Sequence, residues 1–366
     1  MLARVASSIY WMSRYVERAE KSARFIDVNL SYTLDPSITG GQQWKPLVEI
    51  SGDAAAFVQR HGNDFSPERV LDFLVLDLDN PNSVLACLAK ARENARMTRD
   101  VITADMWRHL NSVYLYTRRL TVRDLGRDRA EHTVNRIKQM CLLFEASVET
   151  SLSRNTAWEF AQLGRGLERA DKTLRLLDVK YFTLLPENMP PGTATAADVV
   201  QWADLLRSLS ALEMYRQSRG AIEAAKVAEF LVLDPLFPRS VLFCIQSLEA
   251  SLLRLLRTDH IDFPHQHPVM REVGRLLSDL RYSDPAGIVG EGMHEVLDRL
   301  QARINGIDDA IRSVFFEPTR PVPPGPDANE VPGIEPAAAD APSVSTTSEA
   351  PAPTPTQSQS QALGTA

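Results

Sequence analysis

The chain has 366 residues, with 40 Lys and Arg against 47 Asp and Glu and a formal charge of −7. From Glu317 onward six acids (Glu317, Asp327, Glu330, Glu335, Asp340, Glu349) face one base, Arg320, so −5 sits there and −2 on the rest. A near-neutral body is a poor nucleic-acid surface; three cysteines without CxxC spacing exclude a disulfide framework or zinc finger. No run of about 18 apolar residues is present to span a bilayer, and the start, Met1 to Met12, lacks the apolar stretch of a signal peptide. The expected location is the cytoplasm, with no membrane and no nucleic-acid partner.

The first predicted element is a long helix. Ile9, Met12, Val16, Ala19, Ala23, Ile26 and Leu30 recur at helical spacing and make one apolar stripe. Ser66-Pro67 reads as an N-cap followed by Pro at the first helical position, and Asn82 before Ser83-Val84-Leu85 as a similar start. Helices are expected over about 83–98, 103–119 and 128–153. In the second part a helix carries Phe160, Leu163, Leu167, Ala170, Leu174, Leu177 and Tyr181, and further helices are expected over about 240–257, 268–281 and 289–315. The two Phe-Leu-Val-Leu runs, each before an Asp, are read as helix ends rather than strands. Beyond residue 317 the chain is rich in Pro, Ala, Ser, Thr and Gln. Such a composition buries too little apolar surface to offset its ordering entropy, so the tail is expected to be disordered.

The elements repeat. Residues 9–34 align without a gap on 160–185 with nine of 26 positions identical, and 73–87 align on 230–244 with ten of 15. Trp44 and Trp202 fall between the blocks. The expected fold is therefore all-α: two pseudo-repeated helical bundle halves, 1–155 and 156–316, packed into one globule, with a disordered tail over 317–366.

In the first helix the charged face lies away from the apolar stripe, and the two copies share it: Arg14, Glu17, Arg18, Lys21 and Arg24 match Arg165, Glu168, Arg169, Lys172 and Arg175. A merely solvated face has no reason to persist while the stripe drifts among apolar types. Three readings stand side by side. The face is a buried ion-pair network where the halves meet, an anion site in which arginine forks bind carboxylate or phosphate, or solvated surface.

Residues 10–28 (YWMSRYVERAEKSARFIDV), and the stretch 91–111 (ARENARMTRDVITADMWRHLN), resemble the bacterial alpha-E family, an all-helical domain named for a Glu-Arg motif. The motif falls on Glu17 and Arg18, and by the repeat on Glu168 and Arg169. The second signature supplies Arg92, Glu93, Asn94 and Arg96, whereas its counterpart from Leu248 to Leu253 keeps only acidic character. The resemblance implies company rather than chemistry: a circularly permuted ATP-grasp protein as partner, with transglutaminase-like proteases and proteasome-like peptidases nearby. The implied role is an accessory or binding component in peptide synthesis or modification. The rivals are an enzyme of the same pathway, with Glu17 or Glu168 as acid/base and the arginines holding phosphate or carboxylate, and a structural scaffold.

Other polar residues carry weaker expectations. Asp77 and Asp234 read as turn or capping residues, and Cys87, Cys141 and Cys244 as buried small hydrophobes. His260, His265 and His267, near Asp259 and Asp262, read as a solvated loop rather than a metal site. Gly164-Arg165-Gly166 lacks the strand and Lys of a phosphate loop. No nucleophile, metal or nucleotide motif is present, so no cofactor and no metal are expected.

Overall fold

A computed structural model describes residues 1–32, 44–184, 196–284 and 292–317, with the side chains of 32, 181–184, 196 and 197 excepted. The expected tail lies outside the described residues from 318 onward, as does the side chain of Tyr181.

The described residues are helical, without strands. Helix α1 (Ala3–Tyr32) is followed by α2 (Lys45–Ser51), α3 (Ala54–His61) and α4 (Pro67–Leu71), and then by α5 (Val84–Met97), α6 (Ala104–Arg118) and α7 (Ala130–Ser151). The second part opens with α8 (Thr156–Leu184), α9 (Ala196–Ser208), α10 (Leu212–Arg219) and α11 (Ala224–Leu233). It closes with α12 (Val241–Thr258), α13 (Pro268–Tyr282) and α14 (Met293–Phe315). The predicted long helices thus match within a few residues at either end. The first Phe-Leu-Val-Leu run is a π-helical turn, Asp72–Leu76, and the second ends α11.

The packing has one plan on each side. Helix α1 lies against α5 and α7, with α6 covering that pair. Helix α8 lies against α12 and α14, with α13 covering them. The two long helices then pack on each other, and residues 1–319 form one compact unit. The stripe of α1 is buried from Ile9 to Ile26, and that of α8 from Phe160 to Leu177. Close approach of the helices depends on Gly164: a Cβ there would collide with the carbonyl oxygen of Tyr10 and sit 3.1 Å from its carbonyl carbon.

Helix starts show where local chemistry overrode the simplest reading. Ser66 stands in extended conformation before Pro67, but its hydroxyl caps nothing. Ser83, not Asn82, caps α5, accepting from the Ala86 N–H at 3.1 Å, and Ser240 does the same for α12 from Phe243 at 3.1 Å. Asn82 is thereby released for another task, in the seam between the long helices.

Candidate functional site: the Glu-Arg seam and its cleft

An α-helix buried by partners on several sides must bury its polar residues too, and a buried charge is tolerated only when paired. Glu17 and Glu168 are 1% and 0% exposed. Each is gripped by the arginine of the opposite long helix. Arg169 donates Nε and Nη2 to the Glu17 carboxylate at 2.9 Å each, and Arg18 donates Nε and Nη2 to Glu168 at 2.6 and 2.8 Å. These reciprocal bidentate forks are the strongest geometry available to a guanidinium and a carboxylate. Arg14 adds a third donor to Glu168 at 3.0 Å. Burial pushes both carboxyls up, but Arg169 and Lys21 at Glu17, and Arg18 and Arg14 at Glu168, overrule it. Both stay ionised well below the usual carboxylate range.

The two ends of the seam differ. At the Glu17 end Lys21 is fully buried and meets Glu17 at 3.1 Å and Glu20 at 2.6 Å. Arg24 closes on Glu20 and Ser210, the latter at 2.7 Å. Two more residues fill this end. Glu145 stands 3.4 Å from Arg169, and burial together with the charge of Glu17 raises its carboxyl to about 7. Arg239, tied to the Leu209 carbonyl at 3.0 Å, faces Glu20 and Glu17. This end is closed by its own side chains.

At the Glu168 end the same residue types leave space. Lys172, the match of Lys21, is 5% exposed, and its ammonium comes no nearer than 3.9 Å to Asp171. Burial lowers its pKa. Asp171 is occupied instead by Nε of Arg175, at 3.0 Å. Asn82, which aligns with Arg239 in the second repeated block, accepts from Arg18 Nη1 at 2.6 Å and donates to Asp53 at 2.8 Å. What remains is an open cleft of about 190 Å³ between α1 and α8. Arg14 and Arg18 line it from α1, and Asp171, Lys172 and Arg175 from α8. Ser51 and Gly52 enter at the end of α2, Asn82 before α5, and Asn305 from α14. Of the four cations in the lining, Arg14 and Arg18 are tied to Glu168, Arg14 also to Asp308 at 2.8 Å and Arg175 to Asp171. Lys172 is the one with no carboxylate nearer than 3.9 Å, and no apolar side chain joins the lining.

The remaining expected site residues lie elsewhere. Arg165 pairs with Glu149 rather than joining the forks. Arg92 bonds Asn111 at 2.8 Å and packs over Trp107 and Tyr114, while Glu93 and Arg96 form an exposed pair at 2.9 Å. Glu93 and Asn94 border a separate groove with Trp11 and Tyr15. The second signature therefore shapes the α5–α6 surface and does not line the Lys172 cleft. Comparison by identity missed Glu20, because its match is Asp171. It also missed Glu145, Arg239 and Asn305, which lie outside the first helix of either copy. The Glu20–Asp171 exchange of one acid for another was the available signal.

The weaker candidates take structural roles. Asp77 and Asp234 accept from backbone N–H groups just downstream, at 2.8 Å for Asp79 and 2.9 Å for Leu236. The cysteines are buried, and burial pushes the Cys87 thiol up to about 11 and that of Cys244 to about 12. Among the described residues no group of His, Cys, Asp or Glu is placed to hold a metal, and no helix is long and apolar enough to cross a membrane.

The interlocked Glu-Arg pairs lie in a chain whose residues 1–316 match the sequence profile of Alpha-E, described as a predicted alpha-helical domain with a conserved ER motif. The chain belongs to the Alpha-E family. Its curated relatives include uncharacterised proteins of Mycobacterium bovis and of two Mycobacterium tuberculosis strains, 22–23% identical over 329 residues, which is 85% of this chain. The aligned region is 36% of each relative, so the chain spans about a third of their length. No solved structure matches.

Proposed function

We propose that this Alpha-E protein is an accessory, anion-binding component of an ATP-grasp-dependent system of peptide synthesis or modification. The cleft at Arg14, Arg18, Lys172 and Arg175 would hold a carboxylate or phosphate of its ligand or partner. The observation that carries this reading is the Lys172 ammonium, buried in the cleft lining yet 3.9 Å from its carboxylate neighbour. A buried amine so weakly compensated costs stability and persists where a ligand completes it. The tie to a circularly permuted ATP-grasp protein, and to a transglutaminase-like protease beside it, rests on the family resemblance alone.

The enzymatic rival fares worse on geometry. Glu17 and Glu168 have both oxygens occupied by guanidinium forks, and a carboxylate held far below its usual range has no proton to give and little affinity for one. The scaffold reading retains one support, the closed Glu17 end, which is structural in its own right.

The test is a co-purification and activity assay with the circularly permuted ATP-grasp protein, with and without this chain. Wild type should co-purify with it or change its peptide-forming rate, and Lys172→Gln should lose that effect while remaining folded. Equal behaviour of the two, or no interaction at all, would overturn the proposal.

A further inference from the structure

The same cleft carries information about which anion it takes, an inference that rests on the anion-binding reading above. The two seam carboxylates are each bound edge-on by Nε and Nη2 of one arginine, Glu17 by Arg169 and Glu168 by Arg18. That edge suits a planar, two-oxygen group. In the cleft no arginine offers it. Nε of Arg14 and of Arg18 is spent on Glu168, and Nε of Arg175 on Asp171. Nη1 of Arg14 meets Asp308 at 2.8 Å, so what is left is a set of separate donors: the Lys172 ammonium, Nη2 of Arg14 and the Nη groups of Arg175. They come from two helices and converge on one volume, with Asn305 entering from a third helix, α14. Donors spread around a volume suit a tetrahedral oxyanion, in which each oxygen takes its own partner, and a lysine serves such an anion as a point charge. The lining is polar throughout, so nothing there recognises an apolar side chain.

We infer that the Lys172 cleft is a phosphoryl-binding site, one per chain, holding a dianionic phosphate between Lys172, Arg175 and Arg14, with Asn305 at its rim. The repeated motif does not make a second site. Arg239 aligns with Asn82, and Lys21 is held by Glu17 at 3.1 Å and Glu20 at 2.6 Å, whereas Asp171 comes no nearer than 3.9 Å to Lys172.

The experiment is calorimetric titration of the full-length protein at fixed ionic strength with inorganic phosphate, with glycerol 3-phosphate and with acetate. Inorganic phosphate should bind saturably at one site per chain, and both Lys172→Gln and Arg175→Gln should weaken it at least tenfold. Arg165→Gln, at the other end of the seam, should leave it unchanged. Tighter binding of glycerol 3-phosphate would identify a phosphoryl group carried on a larger molecule as the source, and equal or weaker binding would identify free phosphate. Acetate binding that is lost in Lys172→Gln, with no phosphate binding, would overturn the phosphoryl assignment and leave the anion-binding reading standing. Binding of neither anion would overturn both. Phosphate binding unaffected by either cleft variant would place the anion elsewhere and overturn the assignment.

Discussion

Arg18 and Arg169 differ from surface arginines because the carboxylate each one holds is sealed from water. Replacing Arg169 by Ala leaves Glu17 ionised, buried and short of its main partner. The expected cost is about 3–5 kcal/mol, a large share of a typical domain stability of about 5–15 kcal/mol. Urea denaturation reads this directly, and a loss below about 1 kcal/mol would mean that water reaches the seam. Glu145 supplies a pH dependence. Its folded-state carboxyl is raised to about 7, above its unfolded value, so its contribution to stability is present at low pH and lost as pH rises through 7. Wild type should therefore lose stability between about pH 4.5 and 7 and level off above, and Glu145→Gln should flatten that loss. Denaturant midpoints at about pH 5 and pH 7 decide it, and equal midpoints would show that Glu145 is already ionised at the lower pH. At this scale the sequence was legible where the two aligned segments carry the same side chain, as at Glu17 and Arg18. It was silent where they differ, because Asn82 against Arg239 carries no meaning until the cleft is seen.

At the scale of elements, apolar spacing located the long helices because each buries a stripe that only one period satisfies. Their termini shifted where a hydroxyl competed for the cap, as Ser83 did with Asn82. The charged face of α1 was legible as unusual, and burial stood as one of three readings, since a helix wheel shows which residues share a face and not what covers it. Gly164 and Gly166 show the same limit. In sequence they are a Gly-Arg-Gly string; in the fold only Gly164 touches the backbone of α1. Gly164→Ala should force α1 and α8 apart and destabilise by about 1–3 kcal/mol. Gly166→Ala meets Leu248 at an ordinary 3.6 Å, and should be neutral or gain up to about 1 kcal/mol in helix propensity. Thermal melting of the two variants side by side checks this, and equal losses would refute the close approach.

Across the whole molecule, the two ends of one seam differ. At one end the charges are answered from within, by Glu20, Glu145 and Arg239. At the other they are left partly unanswered, beside a cleft. Stability and binding should therefore separate along a single pair of helices. The most direct measurement is urea denaturation of Lys21→Gln and Lys172→Gln against wild type, at neutral pH and without added phosphate. Lys21 is held by two carboxylates within 3.1 Å and fully buried, so its replacement should cost about 3–5 kcal/mol. Lys172 is buried but loosely answered, so its replacement should change stability by less than about 1 kcal/mol or raise it. Equal, large losses in both variants would contradict the account, because Lys172 would then be as structural as its twin and the cleft would not be held open for an anion.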